Sequence, residues 1–447
     1  MRCFFSAVPR FLDGTDSPRD YLERCLEVIG EREPSVHAWV VLNESGAREA
    51  ADASTARYRA GGPSSPIDGM PVGIKDLFET KDMPTQMGCA AYAGNFPKRD
   101  SALVRALRDA GAVVLGKTVT TELGGAQPGP TTNPWNPRYT PGGSSSGSAA
   151  AVAADMLPAA LGTQVGGSII RPASLCGTFA LKPTQGALNR GERQGYSQST
   201  AGVLAGSIED MWLVAIELAR RAGGDPGQPG LYGPAEAPPP TRPERLIVLE
   251  TAGWSALDAG SRQAFEGLLE RLRSHGVRIL RRGDEPAVEA FERSIASAAA
   301  ITTDINGYEN RAAYENLYEQ YPDLLSPGLV EGIIRARRLG LEDYRARLAE
   351  RAEAQRAFAA LAPLADALIS LGSHGPASAP ANRPEASVPP PTGDMAFNVP
   401  ASILFAPAVN IPLLTVDGLP VGIQLVGQMH RDAQVVGVAR WLAKVGC

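Results

Sequence analysis

Residues 141–183 constrain this chain most strongly, because glycine, serine and alanine make up much of the stretch. Two Gly-Gly-Ser tripeptides, at 142–144 and 166–168, lie on either side of a run of small residues. The stretch predicts, in chain order, a loop (PGGSSSG), a helix (SAAAVAADM), a strand (LPAALGT), a tight loop (QVGGS), a helix (IIRPAS) and a strand (GTFALKP). Small residues let backbone segments approach closely, as a buried and crowded site requires.

The rest of the chain predicts further alternation of helices and strands. Ser17 and Pro18 are typical of an N-cap and a first helical residue. MPVGIKD predicts a short buried strand that ends at Lys75, and ALVRALRDAG followed by AVVLGKT predicts a helix and then a strand, as in parallel sheets. Asp417 and Gly418 predict a hairpin turn. We expect a single α/β domain over residues 1–447, with a core at about 70–210 and Pro-rich loops at about 223–243 and 376–393.

Charge and cysteine content exclude several classes of protein. A net charge of −5 argues against a nucleic-acid-binding surface over the whole molecule. Five cysteines without C-x-x-C spacing predict neither a disulfide framework nor a zinc site. Pro9 and Arg10 interrupt the N-terminal apolar run too early for a signal peptide, and the longer apolar stretches contain Gly, Pro or charge. We therefore expect a cytoplasmic protein that has no membrane segment and no nucleic-acid partner.

Residues 111–118, GAVVLGKT, match the phosphate-loop pattern of nucleotide-binding proteins. That motif needs a strand before its first glycine and a helix after its Lys-Thr pair. Here a helix is predicted before Gly111, and the intervening AVVL predicts a strand. We interpret the match as a coincidence and keep nucleotide binding as a remote alternative.

Residues 143–147, GSSSG, match the nucleophile elbow of serine hydrolases, which needs a histidine base. The chain has four histidines, and the sequence around each is unlike a catalytic setting. His374 is the one retained as an outside candidate. A Ser-His-Asp site is therefore a weak hypothesis.

A serine nucleophile without a histidine needs another base, and a buried lysine can serve because desolvation lowers its pKa. Lys75 follows the apolar residues Val72 and Ile74 at the predicted strand end. The alternative is an ion pair with the adjacent Asp76. Ser144 and Ser168 each follow two glycines, where serine is also common simply as a turn residue or an N-cap.

Three longer segments, GIKD, PGGSSSGSAAAVAA and LGTQVGGSIIRPASLCGTFALKPT, together resemble the amidase-signature family. Within it, the GSSSGS and SIIRPA variants are most similar to malonamidase-type enzymes. The resemblance implies an α/β/α sandwich around a large mixed β-sheet, no metal and no organic cofactor. It also implies that a homodimer can form.

Catalytic roles follow from the resemblance, position by position. Lys75 is the implied base, Ser144 the bridging serine after a cis peptide bond from Gly143, and Ser168 the nucleophile. The implied oxyanion hole consists of the backbone N–H groups of Val165, Gly166, Gly167 and Ser168.

Three further residues are assigned to substrate binding: Thr163, Gln164 and Arg171. In malonamidase-type enzymes an arginine at the position of Arg171 binds the free carboxylate of the substrate. Arginine equally suits a buried structural ion pair, so both roles stay open for Arg171. Gln164 stands where many family members have aspartate.

The predicted function is hydrolysis of a small linear carboxamide through an acyl-enzyme, with an amide that also bears a carboxylate as one form of substrate. The alternative is the amidase component of a tRNA-dependent amidotransferase, which makes ammonia from glutamine and needs partner subunits. Those proteins typically carry glutamine, rather than Ile-Arg, soon after the nucleophile. The expected partner is a small-molecule amide.

Overall fold

The computed structural model describes residues 1–125, 127–191, 197–378 and 392–446. Within these residues, eleven strands form one continuous sheet in the order β1-β3-β2-β4-β6-β5-β10-β11-β9-β7-β8. The strands are β1 Trp39–Leu42, β2 Pro71–Lys75, β3 Val113–Thr118, β4 Ala159–Gln164, β5 Phe179–Lys182, β6 Thr200–Ala205, β7 Arg245–Val248, β8 Arg278–Leu280, β9 Ala367–Leu371, β10 Ala408–Val416 and β11 Leu419–Val426.

The sheet is mixed, as the family resemblance implied. Strand β2 runs parallel to both β3 and β4, and β7 runs parallel to both β8 and β9. The strands between these two groups pair in antiparallel fashion, including the predicted hairpin of β10 and β11. Asp417 and Gly418 form its turn with φ of 51° and 77°, which confirms that prediction.

Helices surround this sheet. They are α1 Val8–Leu12, α2 Pro18–Val36, α3 Glu44–Arg59, α4 Ala102–Asp109, α5 Ser146–Ala153, α6 Ile170–Cys176, α7 Ile208–Ala222, α8 Ala259–Ser274, α9 Pro286–Ser294, α10 Ala298–Gln320, α11 Pro327–Ala336, α12 Leu341–Ala359, α13 Val399–Ile403 and α14 Asp432–Val445. Ser17 caps α2 as predicted, because its side chain accepts a hydrogen bond from the Asp20 amide. The predicted helix–strand order of residues 141–183 is also confirmed.

Both faces of the sheet are covered by helices, because neighbouring residues of a strand pack into different apolar clusters. Leu181 and Val203 belong to a cluster that includes residues of α4, α7, α8 and α14. Their neighbours Ala180 and Leu204 belong to a second cluster that includes residues of α6, α9, α10 and α12. Since successive side chains of a strand point to opposite faces, the architecture is an α/β/α sandwich.

The small residues of the 141–183 stretch allow the close backbone contacts that were predicted. A Cβ atom on Gly147 would lie 2.3 Å from the carbonyl oxygen of Ala38 and 2.4 Å from the amide nitrogen of Val119. These distances are too short for any side chain, so α5 can pack directly onto the neighbouring backbone only because residue 147 is glycine.

The two Pro-rich segments differ in what can be said of them. Residues 223–243 form the connection between α7 and β7. Most of the predicted loop at 376–393 lies outside the described residues. None of the described helices is both long and apolar enough to span a membrane.

The phosphate-loop match at 111–118 is a buried strand in the structure. Residues Val113–Thr118 form β3, with each side chain buried. Lys117 extends to Asp76, with 2.7 Å between Nζ and Oδ1, and also donates hydrogen bonds to Thr85 Oγ1 and the carbonyl of Pro84. A buried strand cannot wrap its backbone N–H groups around a phosphate, and Lys117 is already paired with Asp76. The interpretation of the match as a coincidence is therefore supported.

Lys117→Met should destabilise the protein by about 3–5 kcal/mol, because it leaves the buried Asp76 carboxylate without its counter-ion. Urea unfolding at neutral pH would measure the loss as a lower midpoint. Lys81→Met is the matched control, since Lys81 is exposed, and it should stay within about 0.5 kcal/mol of wild type. Equal midpoints for the two variants would contradict the structural role of the pair.

Candidate active site

Lys75 ends β2 in a fully buried position surrounded by hydroxyl groups. Its Nζ lies within hydrogen-bond distance of three hydroxyls, at 2.8 Å from Ser144 Oγ, 2.9 Å from Ser145 Oγ and 2.8 Å from Thr163 Oγ1. The carbonyl oxygen of Thr163 lies 3.5 Å away. These groups come from the end of β2, the loop before α5 and the end of β4, so the sheet itself brings them together.

The electrostatic environment of Lys75 favours a neutral amine. Burial lowers the pKa of Lys75 well below its usual value, and the positive charge of Arg171 lowers it further. The adjacent Asp76 pairs with Lys117 instead, so the alternative ion pair between Lys75 and Asp76 is wrong. A neutral amine beside a serine hydroxyl can accept its proton.

Ser144 and Ser168 lie on loops that are joined through their backbones. The Gly143–Ser144 peptide bond is cis, as the resemblance implied. The Ser145 amide donates to the carbonyl oxygen of Ser168 at 3.3 Å, and the Thr121 amide donates to that of Ser144 at 3.3 Å. Ser168 is 9% exposed, whereas Lys75 is fully buried. The described hydroxyls of Ser144 and Ser168 are not hydrogen-bonded to each other.

The loop that carries Ser168 offers unpaired backbone N–H groups. In the described part of the chain, the amides of Val165, Gly166, Gly167 and Ser168 donate no hydrogen bond to protein atoms. The next two amides, of residues 169 and 170, donate to Gln164 Oε1 at 2.9 and 3.1 Å. Consecutive unpaired N–H groups beside a nucleophile are the donors that an oxyanion needs.

Gln164 is fully buried and holds this loop in place. Besides accepting the two amide hydrogen bonds, it donates from Nε2 to Ser402 Oγ at 3.3 Å. Ser402 Oγ in turn donates to the carbonyl of Gly166 at 3.0 Å. These contacts favour a positioning role for Gln164 over the predicted contact with substrate.

Arg171 lies in the first turn of α6 and is almost completely buried. Its Nη2 donates to the carbonyl of Gly143 at 2.7 Å and to Thr392 Oγ1 at 3.3 Å. Burial lowers the pKa of Arg171 to about 10, and the nearby Asp394 acts in the opposite direction. Its Nε has no hydrogen-bond partner among the described residues. The guanidinium thus binds the loop before Ser144 through Nη2, while its Nε stays unpaired among the described residues.

His374, the outside candidate for a base, lies elsewhere. Its ring packs against Phe397 with 5.1 Å between ring centroids, and its Nδ1 is 3.5 Å from Asp394 Oδ1. Among the described residues, no hydrogen bond or ion pair joins His374 to Lys75 or Ser168. The structure therefore favours lysine over histidine as the base.

A cavity of about 720 Å³ opens beside these groups. Thr163 and Val165 line it, and so does Gly124, where an added Cβ would lie 3.6 Å from Ser144 Oγ. The cavity therefore lies next to Ser144 and reaches Thr163 and Val165, although Lys75, Ser144 and Ser168 are not among its described lining residues. Its volume lies within the usual range for small-molecule sites.

Sequence reasoning missed several contributors to this site. Ser145 bonds Lys75 as closely as Ser144 does, and its position in the GSSSG loop was the available signal. Thr163 was assigned to substrate, yet its hydroxyl also bonds Lys75. Tyr314 and Leu317 of α10 line the cavity from nearly 150 residues beyond Ser168, and no local motif marks them.

The chain is similar to known amidases in sequence and in fold. A family model described as Amidase matches residues 20–436. A glutamyl-tRNA(Gln) amidotransferase component of Chloroflexus aggregans is 32% identical, over 93% of this chain and 90% of that protein. A crystal structure described as an amidase has a TM-score of 0.83 at 28% identity, covering 98% of both chains. Peptide amidase from Stenotrophomonas maltophilia has a TM-score of 0.78 at 27% identity, covering 98% of this chain and 95% of that one.

Lys75 must be neutral to accept a proton, so kcat/KM for a neutral amide should fall as pH drops through its pKa. Arg171→Gln removes a positive charge that lowers this pKa, so the fall should begin at higher pH than in wild type. The pH dependence of kcat/KM measures the shift. Arg356→Gln, at an exposed position, should leave the profile in place, and an unmoved profile in Arg171→Gln would contradict the coupling.

Gln164→Met should lower kcat about tenfold to a hundredfold with little change in KM, because the loop amides act mainly on the transition state. Steady-state kinetics at saturating amide would measure both parameters. Gln355→Met provides the control, since Gln355 bonds the carbonyl of Ile403. A loss confined to KM would instead indicate that Gln164 binds substrate directly.

Proposed function

This chain belongs to the amidase family, and we propose that it hydrolyses a carboxamide with Ser168 as nucleophile, Ser144 as bridging acid–base and Lys75 as base. The observation that carries the proposal is the environment of Lys75. A fully buried amine with three hydroxyls at hydrogen-bond distance, and no carboxylate paired with it among the described residues, favours the neutral state that a base requires.

The reaction proceeds in two stages. Neutral Lys75 takes the proton of Ser144 Oγ while Ser144 takes that of Ser168, whose Oγ then attacks the amide carbon. The amides of residues 165–168 stabilise the oxyanion. Its collapse releases ammonia, with the proton returned through Ser144, and leaves an ester on Ser168. Water then attacks the ester by the same proton route and releases the carboxylic acid.

This mechanism requires a hydrogen bond from Ser168 to Ser144. Catalytic hydrogen bonds are often long without substrate and tighten in the substrate complex. The backbone link from Ser145 to Ser168 keeps the two loops together, so a side-chain rotation is the movement needed. Thr163 and Ser145 orient the amine of Lys75.

For Arg171, the contacts favour the structural alternative. Its guanidinium donates to the carbonyl of Gly143, next to the bridging serine, and to the hydroxyl of Thr392. The unpaired Nε is what supports the other role, a bond to a substrate carboxylate. Comparing amides with and without a carboxylate separates the two.

A second candidate is the amidase component of a tRNA-dependent amidotransferase. The observation that favours it is the similarity, over nearly the full length, to chains named as components of glutamyl-tRNA(Gln) amidotransferase. The same catalytic groups would then release ammonia from glutamine within an assembly that has partner subunits.

Ser168→Ala should reduce ammonia release at least about a thousandfold, because no other group can form the acyl-enzyme. The assay follows ammonia from neutral amides, amides bearing a carboxylate, and glutamine, using the isolated chain. Ser255→Ala is the matched control at an exposed serine and should match wild type.

The outcomes separate the candidates. Hydrolysis of several amides by the isolated chain supports a free-standing amidase, and hydrolysis of glutamine alone supports the amidotransferase component. Preference for amides with a carboxylate would support the binding of a substrate carboxylate by Arg171. Full activity in Ser168→Ala would show that the nucleophile is another residue.

A further inference from the structure

Much of the cavity wall is apolar. Besides the residues next to the serine–lysine pair, side chains from four separate parts of the chain line it. Its principal apolar residues are Leu77, Met87, Tyr92, Leu123, Tyr314 and Leu317. Contact of such a surface with an apolar group, in place of water, lowers the free energy of the complex.

Helix α10 forms part of this wall and packs against the rest of the protein. Leu317 packs in an apolar cluster with Cys89, Leu325 and Ile333, and Tyr92, Leu123 and Tyr314 pack against the same cluster. The segment between α10 and α11 is also tied to the opposite side, because the Ser326 amide and hydroxyl both donate to the buried Glu122 carboxylate. The wall is therefore a packed surface that can define the shape of a substrate.

Charged side chains of the cavity are engaged by the protein itself. Four of them, from residues 79, 99, 100 and 190, belong to ion pairs. These pairs are Glu79–Arg99 at 2.5 Å, Asp100–Arg108 at 3.1 Å and Arg190–Asp225 at 2.6 Å. A substrate that carried its own carboxylate or ammonium group deep in the cavity would have to compete with these pairs.

We propose that the substrates are neutral carboxamides with a bulky alkyl or aromatic acyl group, held between the catalytic loop and the apolar wall formed by α10. This inference rests on the proposed hydrolysis. Since ammonia is the leaving group, whatever else fills a cavity of about 720 Å³ must belong to the acyl part. Tyr314 and Leu317 then determine specificity through contact with that group.

The first experiment measures kcat/KM for acetamide, butyramide, hexanamide and phenylacetamide, with glutamine as the charged comparison. Transfer of each methylene from water to an apolar wall predicts a rise of about fourfold, so hexanamide should exceed acetamide by on the order of a hundredfold. Glutamine should be a poorer substrate than hexanamide.

The second experiment fills the cavity from α10. Ala313 lines the cavity yet is exposed, so Ala313→Trp adds bulk there without disturbing the core. It should lower kcat/KM for hexanamide and phenylacetamide by about tenfold or more, and for acetamide by much less. Ala312→Trp, the same change at the exposed neighbouring residue outside the cavity lining, should leave all four amides within about twofold.

Failure of this inference and failure of the proposed function look different. Ser168-dependent hydrolysis with equal kcat/KM for short and long amides would overturn the apolar substrate class alone. So would equal effects of Ala313→Trp and Ala312→Trp, or a preference for glutamine. Absence of hydrolysis for every amide, or full activity in Ser168→Ala, would overturn the proposed function and this inference with it.

Discussion

Burial of the Lys75 amine, with no counter-ion among the residues that the structure describes, is the constraint on which the rest of this site depends. A charged Lys75 would carry a large desolvation cost at a fully buried position, whereas a neutral amine is satisfied by the hydroxyls of Ser144, Ser145 and Thr163. The nearest carboxylate in sequence, Asp76, must therefore be occupied elsewhere, and the ion pair with Lys117 achieves this. The positive charge of Arg171 acts in the same direction.

Close backbone packing makes this arrangement possible. Gly147 lets α5 lie directly against the backbone of neighbouring segments. Gly162 likewise allows Ser145 to approach β4, since an added Cβ would lie 2.9 Å from Ser145 Oγ. Gln164 and Ser402 then hold the loop that carries Ser168, the proposed nucleophile. Catalytic groups held this rigidly need little reorganisation during the reaction.

Local patterns carried much of the fold prediction. The strand ending at Lys75, the helices and strands of residues 141–183, and the hairpin at Asp417 were all found where expected. The alternation of helix and strand suggested parallel pairing, but much of the central sheet is antiparallel. Pairing direction depends on which strands become neighbours, and strands such as β5 and β10 are more than 200 residues apart.

The sequence by itself determined which serines and which lysine stand at the positions of the family motif, and that small residues surround them. It could not decide whether Lys75 pairs with Asp76, because that choice depends on Lys117, which only the parallel pairing of β2 and β3 brings alongside. The sequence did not predict the cavity either. Its wall joins the signature loops to α10, a helix distant in the chain, and only tertiary packing places Leu317 and Val165 in the lining of one cavity.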